Sequence, residues 1–167
     1  LTSCNNKKFH INGNITEAQD SMLYLENISL NGPVKIDSVK LGEDGAFTFD
    51  EAAMDSVTPE FYRLRIANQT INLSIDSTET IKVKAAYPQM SFKYEVEGSE
   101  NCNKIKELSL KQMTLQSNIN GLVKDPNIGN DSIESIVGRM LQAYKQDIKA
   151  NYIFKEPMKA YAYYALF

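Results

Sequence analysis

The sequence predicts a mainly β fold, an antiparallel β-sandwich of about eight strands, followed by two to three C-terminal α-helices. Three observations carry that prediction. Apolar and polar residues alternate with a period of two from Phe9 to about Glu97. Turn-forming groups interrupt the alternation at roughly ten-residue intervals, which leaves no room for crossover helices between parallel strands. From Ser99 onward the apolar spacing lengthens to three and four, as a helix face requires. With 167 residues, 43% hydrophobic and 23% charged, the chain can bury one core and carry a helical appendage.

Taken in order, Phe9 and Ile11 open the first strand, which the Gly13-Asn14 pair is expected to break. Met22 to Glu26 forms the second, closed by Asn31-Gly32-Pro33, residues that accept positive φ and then fix φ. Val34, Ile36, Val39 and Leu41 are expected to form a hairpin with Ala46 to Phe49 about the tight Asp44-Gly45 turn, placing Phe47 and Phe49 on one face. Phe61 to Ile66 and Ile71 to Ile75 alternate about a connection at Asn68-Gln69. Ile81 to Ala85 and Phe92 to Val96 complete the set. Ser99 then caps a helix whose inner face holds Ile105, Leu108, Met113 and Leu115, with a loop running through Gly121, Pro126 and Gly129. In the second helix Asp131 is placed to cap and Glu134 to reach back to the cap. Its buried stripe is Ile133, Ile136, Val137, Met140, Leu141, Tyr144 and Ile148. Pro157 starts a third helical piece containing Met158, Tyr161, Tyr164 and Ala165.

Charge and motif content narrow the function. A net charge of −3 with scattered lysines lacks the basic stripe that nucleic acid demands, so no nucleic-acid partner is expected. No apolar run reaches the roughly 20 residues of a membrane-spanning helix. Leu1-Thr2-Ser3-Cys4 places small residues before a cysteine, the pattern of a lipid-attachment site in which the thiolate forms a thioether. Cys4 is thus the candidate lipid-attachment residue; the alternative is a small residue at a frayed chain end. The second cysteine, Cys102, stands alone, and no Cys-x-x-Cys provides a redox dithiol. Cys102 is either a thiol acidified at a helix start or a half-buried small residue. His10 has no neighbours at ligand spacing and reads as a strand-surface residue, so neither metal nor cofactor is expected. Glu43-Asp44 and Asp50-Glu51 read as solvated loop acids, and no residue is nominated as catalytic.

The segments Phe9-His10-Ile11-Asn12-Gly13, Asp44-Gly45-x-Phe47, Phe61-Tyr62-Arg63-Leu64, Ile75-Asp76-Ser77 and Val96-Glu97-Gly98-Ser99, in that order, resemble the DUF4369 domain. This is a domain of unknown function found at the N-terminus of thioredoxin-like lipoproteins of Bacteroidetes. Residues 160–167 are similar to the helical linker that precedes the thioredoxin module. The resemblance implies a lipid-attachment remnant and tether over 1–8, the sandwich over 9–98, and a helical region over 99–167 leading to a further domain. It implies a non-catalytic accessory or positioning domain of a cell-envelope lipoprotein. The implied partner is a downstream TlpA-like or AhpC/TSA-like thiol-disulfide oxidoreductase domain of the same polypeptide, with membrane contact through the lipid anchor only. Asn5-Asn6-Lys7-Lys8 lacks the acids that follow the cysteine in surface-exported relatives, which favours the periplasm.

Two sets of site residues remain open within this frame. Asp-Ser pairs at Ser21, Ser38, Ser56, Ser77 and Ser132 resemble O-glycosylation acceptors of such envelope proteins, although turn and cap chemistry accounts for the same pairs. Tyr161, Tyr164 and Phe167 either dock on the downstream module or pack internally. The alternative function is an independent periplasmic small-molecule or glycan-binding domain that uses Tyr24, Tyr62 or Tyr87.

Overall fold

A computed structural model of the chain describes residues 7–54 and 59–166. These form two compact units, one ending at Asn103 and one starting at Lys104. The first holds eight strands: β1 (Lys8–Thr16), β2 (Met22–Ser29), β3 (Gly32–Lys40), β4 (Ala46–Ala52), β5 (Glu60–Ile66), β6 (Gln69–Ile75), β7 (Thr80–Ala86) and β8 (Tyr94–Glu97). They build two four-stranded sheets, ordered β4-β1-β7-β8 and β3-β2-β5-β6. Period-two alternation sends Ile11, Leu25, Phe49, Leu64, Leu73 and Ile81 into one shared apolar core, where all are fully buried or nearly so. Phe9 of one sheet meets Tyr62 of the other with ring centres 5.0 Å apart.

The predicted sandwich is present, and its pairing differs from the expectation at three places. First, β1 and β7 run parallel, with Ile11 opposite Ile81 and Val83 opposite Gly13. No crossover helix is needed, because the chain between them travels through the other sheet. Second, Gly13 does not break β1. It sits mid-strand at φ +152°, and a Cβ there would lie 1.7 Å from the Val83 carbonyl oxygen. The glycine marks a close backbone approach rather than a turn. Third, β3 and β4 form no hairpin. The Asp44-Gly45 turn carries the chain from one sheet to the other, so β4 pairs with β1, while Phe47 and Phe49 do share a buried face with ring centres 5.8 Å apart. The tight connection between β5 and β6 is Ala67-Asn68, one residue earlier than expected, with Ala67 at φ 51°.

α1 (Glu100–Lys124) begins at the end of the sandwich unit and continues into the helical one, followed by α2 (Asn130–Ile148) and α3 (Ala160–Ala165). Ser99 caps α1 as expected, its Oγ accepting the Cys102 N–H at 3.1 Å. α1 runs through Gly121 instead of ending there. The expected Asp131–Glu134 cap does not form: Gly129 occupies the N-cap of α2 without a side-chain hydrogen bond. The α2 stripe is mostly half-buried, with Ile148 fully buried and Leu141 exposed. Lys149 to Ile153 extends α2 as a π-helical turn that carries the buried Tyr152, a feature with no signal in the sequence.

Two substitutions test these backbone assignments. Gly13→Ala is expected to cost about 3 kcal/mol or more, read as a lowered urea midpoint, because a methyl group cannot enter the β1–β7 contact. Gly138→Ala, in α2 with open space around it, is expected to stabilise the helical unit by about 0.5–1 kcal/mol in thermal melts followed at 222 nm.

Candidate functional site

The most elaborate polar cluster lies on the outer face of the second sheet. β2 sits between β3 and β5, so Glu26 is flanked by Lys35 on one side and Arg63 on the other, and Tyr24 by Ser38 and Arg65. Leu25 and Leu64 alternate with these residues and point into the core, which directs the polar set outward. Arg65 donates from Nε to Glu26 Oε1 at 2.9 Å, and Arg63 donates from Nε to Oε2 of the same carboxylate. Glu26 is left 6% exposed. The Arg65 guanidinium carbon lies 4.6 Å from the centre of the Tyr24 ring and Lys35 Nζ lies 5.3 Å from it, within cation–π range. Burial alone would push the Glu26 carboxyl up, but the hydrogen bonds and charges of Arg63 and Arg65 outweigh it and hold the group below its ordinary range. Arg63 and Arg65 bind the carboxylate, and Lys35 stands opposite Glu26 in the β2–β3 register. Neighbouring strand pairs in sequence do not reveal the cluster, because β2 joins β5 across two intervening strands.

Cys102 is the second notable group. It is completely buried, and its thiol donates to the Ser74 carbonyl at 3.2 Å while its sulfur accepts the Ser74 N–H at 3.4 Å. Burial, the largest influence, pushes the thiol up, against the weaker pull of Ser99 and the Ser74 backbone. The structure thus favours the inert reading of Cys102 over the acidified one.

Other expected site residues are placed as follows. His10 faces Asp50 across the β1–β4 pair and hydrogen-bonds its carboxylate. Ser21 follows Asp20, whose φ is 66°, in the turn before β2, and Ser38 lies on β3. Ser77, at φ 55°, is exposed in the β6–β7 turn, and Ser132 is exposed in the first turn of α2. Tyr62 is buried, its hydroxyl pushed up to about 12 by burial and by the charge of Glu60, whereas Tyr24 and Tyr87 are half-buried. Cys4, Ser56 and Phe167 lie outside the described residues. Among the described residues no group of three or more His, Cys, Asp and Glu side chains is arranged to hold a metal ion.

In the helical unit the tyrosines join the helices to one another. Tyr152 donates to Glu107 at 3.1 Å, with Lys104 and Lys111 at 6.0 and 5.6 Å from its ring centre. Its hydroxyl is pushed up to about 12 by burial and by the Glu107 carboxylate. Tyr161 is buried edge-on against Tyr152, ring centres 6.5 Å apart, and its hydroxyl donates to Glu156. The Tyr164 hydroxyl lies 3.4 Å from Ser109 Oγ. Tyr161 and Tyr164 therefore make internal contacts, and among the described residues the large apolar side chains this segment exposes are Phe154, Met158 and Leu166.

Fold and polar clusters together define a two-sheet β-sandwich module with a helical extension. Residues 9–105, more than half of the chain, match the family described as Domain of unknown function (DUF4369), and the chain belongs to that family. No curated protein matches the chain. Among solved structures, an (S)-allantoin synthase is similar at 10% identity with a TM-score of 0.35, over 57% of this chain and 45% of that one. A protein from Bacteroides ovatus ATCC 8483, provisionally described as a cell adhesion protein, is similar at 11% identity with a TM-score of 0.32, over 56% of this chain and 43% of that one. The chain thus spans less than half the length of each.

The pH dependence of stability tests the Glu26 cluster. A carboxyl whose native pKa lies below its unfolded value contributes stability that is complete above the unfolded value. That stability is lost as pH falls through the native value. Urea midpoints should therefore drop between pH 5 and pH 3, a window set roughly by ordinary carboxylate pKa values. Glu26→Gln should flatten that slope and cost about 2 kcal/mol at pH 7. For Cys102, a thiol reagent should fail to react in the native state and react fully in urea. Cys102→Ala, which strips Ser74 of its partner, should cost about 2 kcal/mol and Cys102→Ser less.

Proposed function

We propose that this chain is a non-catalytic accessory domain of a cell-envelope lipoprotein, attached to lipid through Cys4 and facing the periplasm. In this reading it positions a thioredoxin-like thiol-disulfide oxidoreductase domain that follows it in the same polypeptide. The observation that carries the proposal is the state of Cys102. Its sulfur is walled off from solvent and engaged on both sides by the Ser74 backbone, so it serves the fold and is withheld from thiol exchange. Exchange chemistry then belongs to another module, and Phe154, Met158 and Leu166 offer that module an apolar surface at the helical end. O-glycosylation, if present, would fall at Ser77 or Ser132, the described candidate serines that are open to solvent.

A second reading, an independent binding domain for a periplasmic small molecule or glycan, draws on the half-buried Tyr24 ring and the basic side chains beside it. It is weakened by the engagement of that ring with Arg65 and Lys35.

Insulin reduction separates the accessory reading from an enzymatic one. The chain alone should be silent, and a longer polypeptide carrying the thioredoxin-like module should be active. Turnover by the chain alone that disappears in Cys102→Ser would sink the proposal, and silence from both polypeptides would move weight to the binding domain.

A further inference from the structure

Strand registers bring several separate sequence features to one end of the sandwich. Lys8 at the start of β1 lies opposite Ala52 at the end of β4, and His10 lies beside Thr80 at the start of β7. In the other sheet the β2–β3 tip, with Ile28 opposite Pro33, is at the same end as the start of β5 and the close of β6. The β6–β7 turn joins the two sheets there, and the His10 N–H donates to the Glu79 carbonyl at 2.9 Å. Lys7 and Lys8 therefore lie at the same end as the β2–β3 tip, with the Lys7 carbonyl accepting the Ala53 N–H at 2.9 Å. The opposite end holds Glu43, Asp44 and the Asp20–Lys40 ion pair.

The N-terminal end is unusual in what it exposes. Leu30, at the β2–β3 tip, is 99% exposed, with Val34 at 52% and Met54 at 48%. Lys7 and Lys8 are exposed at the same end of the unit. Three nearby carboxylates are engaged by the protein itself, Asp50 by His10, Glu60 by Asn27 and Glu79 by the Asp76 N–H, while Asp76 and Glu97 are exposed. Glu51, beside Asp37, is held toward its neutral form by burial and by that neighbouring carboxylate.

We propose that this end of the sandwich is a lipid-contacting surface, with Leu30, Val34 and Met54 entering the interfacial layer of a bilayer and Lys7 and Lys8 meeting lipid phosphates. The inference rests on the lipid attachment at Cys4 proposed above. Cys4 precedes Lys8 by four residues, which span at most about 14 Å, so an acylated Cys4 holds this end against the bilayer. Shape favours lipid over a protein partner. A stable protein interface buries roughly 800 Å² per side on complementary surfaces, whereas a hairpin tip with a few apolar side chains is suited to a fluid apolar phase. Basic residues at this end add attraction to anionic headgroups.

The chain contains no tryptophan, so Leu30→Trp supplies a unique fluorophore, with Glu43→Trp as the control at the opposite end. Each variant is coupled through Cys4 to a maleimide lipid in vesicles of phosphatidylethanolamine and phosphatidylglycerol, Cys102 remaining sealed. Leu30→Trp emission should shift to the blue and be quenched by brominated lipid, while Glu43→Trp emission stays as in water. Leu30→Asp should weaken vesicle partition of the uncoupled chain about tenfold. Water-like emission from Leu30→Trp would overturn the proposal. So would a blue shift without vesicles that grows with protein concentration, which would identify a second copy of the chain as the occupant. Because the coupling is chemical, either failure leaves natural acylation of Cys4 to be judged separately, by detergent-phase partition of protein extracted from cells.

Discussion

The sandwich depends on the contact between β1 and β7 at Gly13. β1 is hydrogen-bonded on both sides, antiparallel to β4 and parallel to β7, and these pairings unite the two ends of the sandwich unit in one sheet. Their sequence separation makes loop closure a real cost, offset only when both strands bury their inner faces. Ile11, Ile81 and Val83 do so completely, and the core follows from their register. A side chain at position 13 would hold the strands apart at the point where that register is set.

A second constraint is the edge of the other sheet. β6 has β5 on one side only, so the backbone groups of Thr70 and Ser74 would otherwise face outward unpaired. Ser91 Oγ accepts the Thr70 N–H at 3.0 Å, and Cys102 satisfies both the N–H and the carbonyl of Ser74. The thiol stands in for part of a missing neighbouring strand, and Ser99 fixes the helix start that delivers it. At the other edge, β3 carries Pro33, Lys35 and Lys40, residues that discourage pairing with a further strand.

The strands were legible because inward residues alternate cleanly, as in Phe61 to Ile66, and the cap at Ser99 was legible because a serine precedes the change of period. Pairing partners were not. Asp44-Gly45 signals a tight turn, but whether the chain turns back within a sheet or crosses to the other depends on which strands find β1 and β2. Gly13 shows the same limit, since a glycine signals backbone freedom equally for a turn and for a close approach. The Glu26 cluster needed three strands in register before its charges could be added. Cys102 could be singled out from sequence, yet its inertness depends on Ser74, 28 residues away.

Chemistry at a catalytic group requires access and a pKa moved toward working conditions. Four perturbed groups move the other way: Glu26 is held down by two arginines, Cys102 is pushed up by burial, and Tyr62 and Tyr152 are pushed up to about 12, whereas burial raises the carboxyls of Glu51 and Glu79. Each of the four is engaged by its own chain, and each stabilises a junction between strands or helices. What faces solvent conspicuously is of another kind, namely apolar side chains projecting from a hairpin tip at Leu30 and from the helical end at Phe154 and Met158. Each of the two units thus ties these polar groups into its own joints and leaves apolar side chains open to solvent.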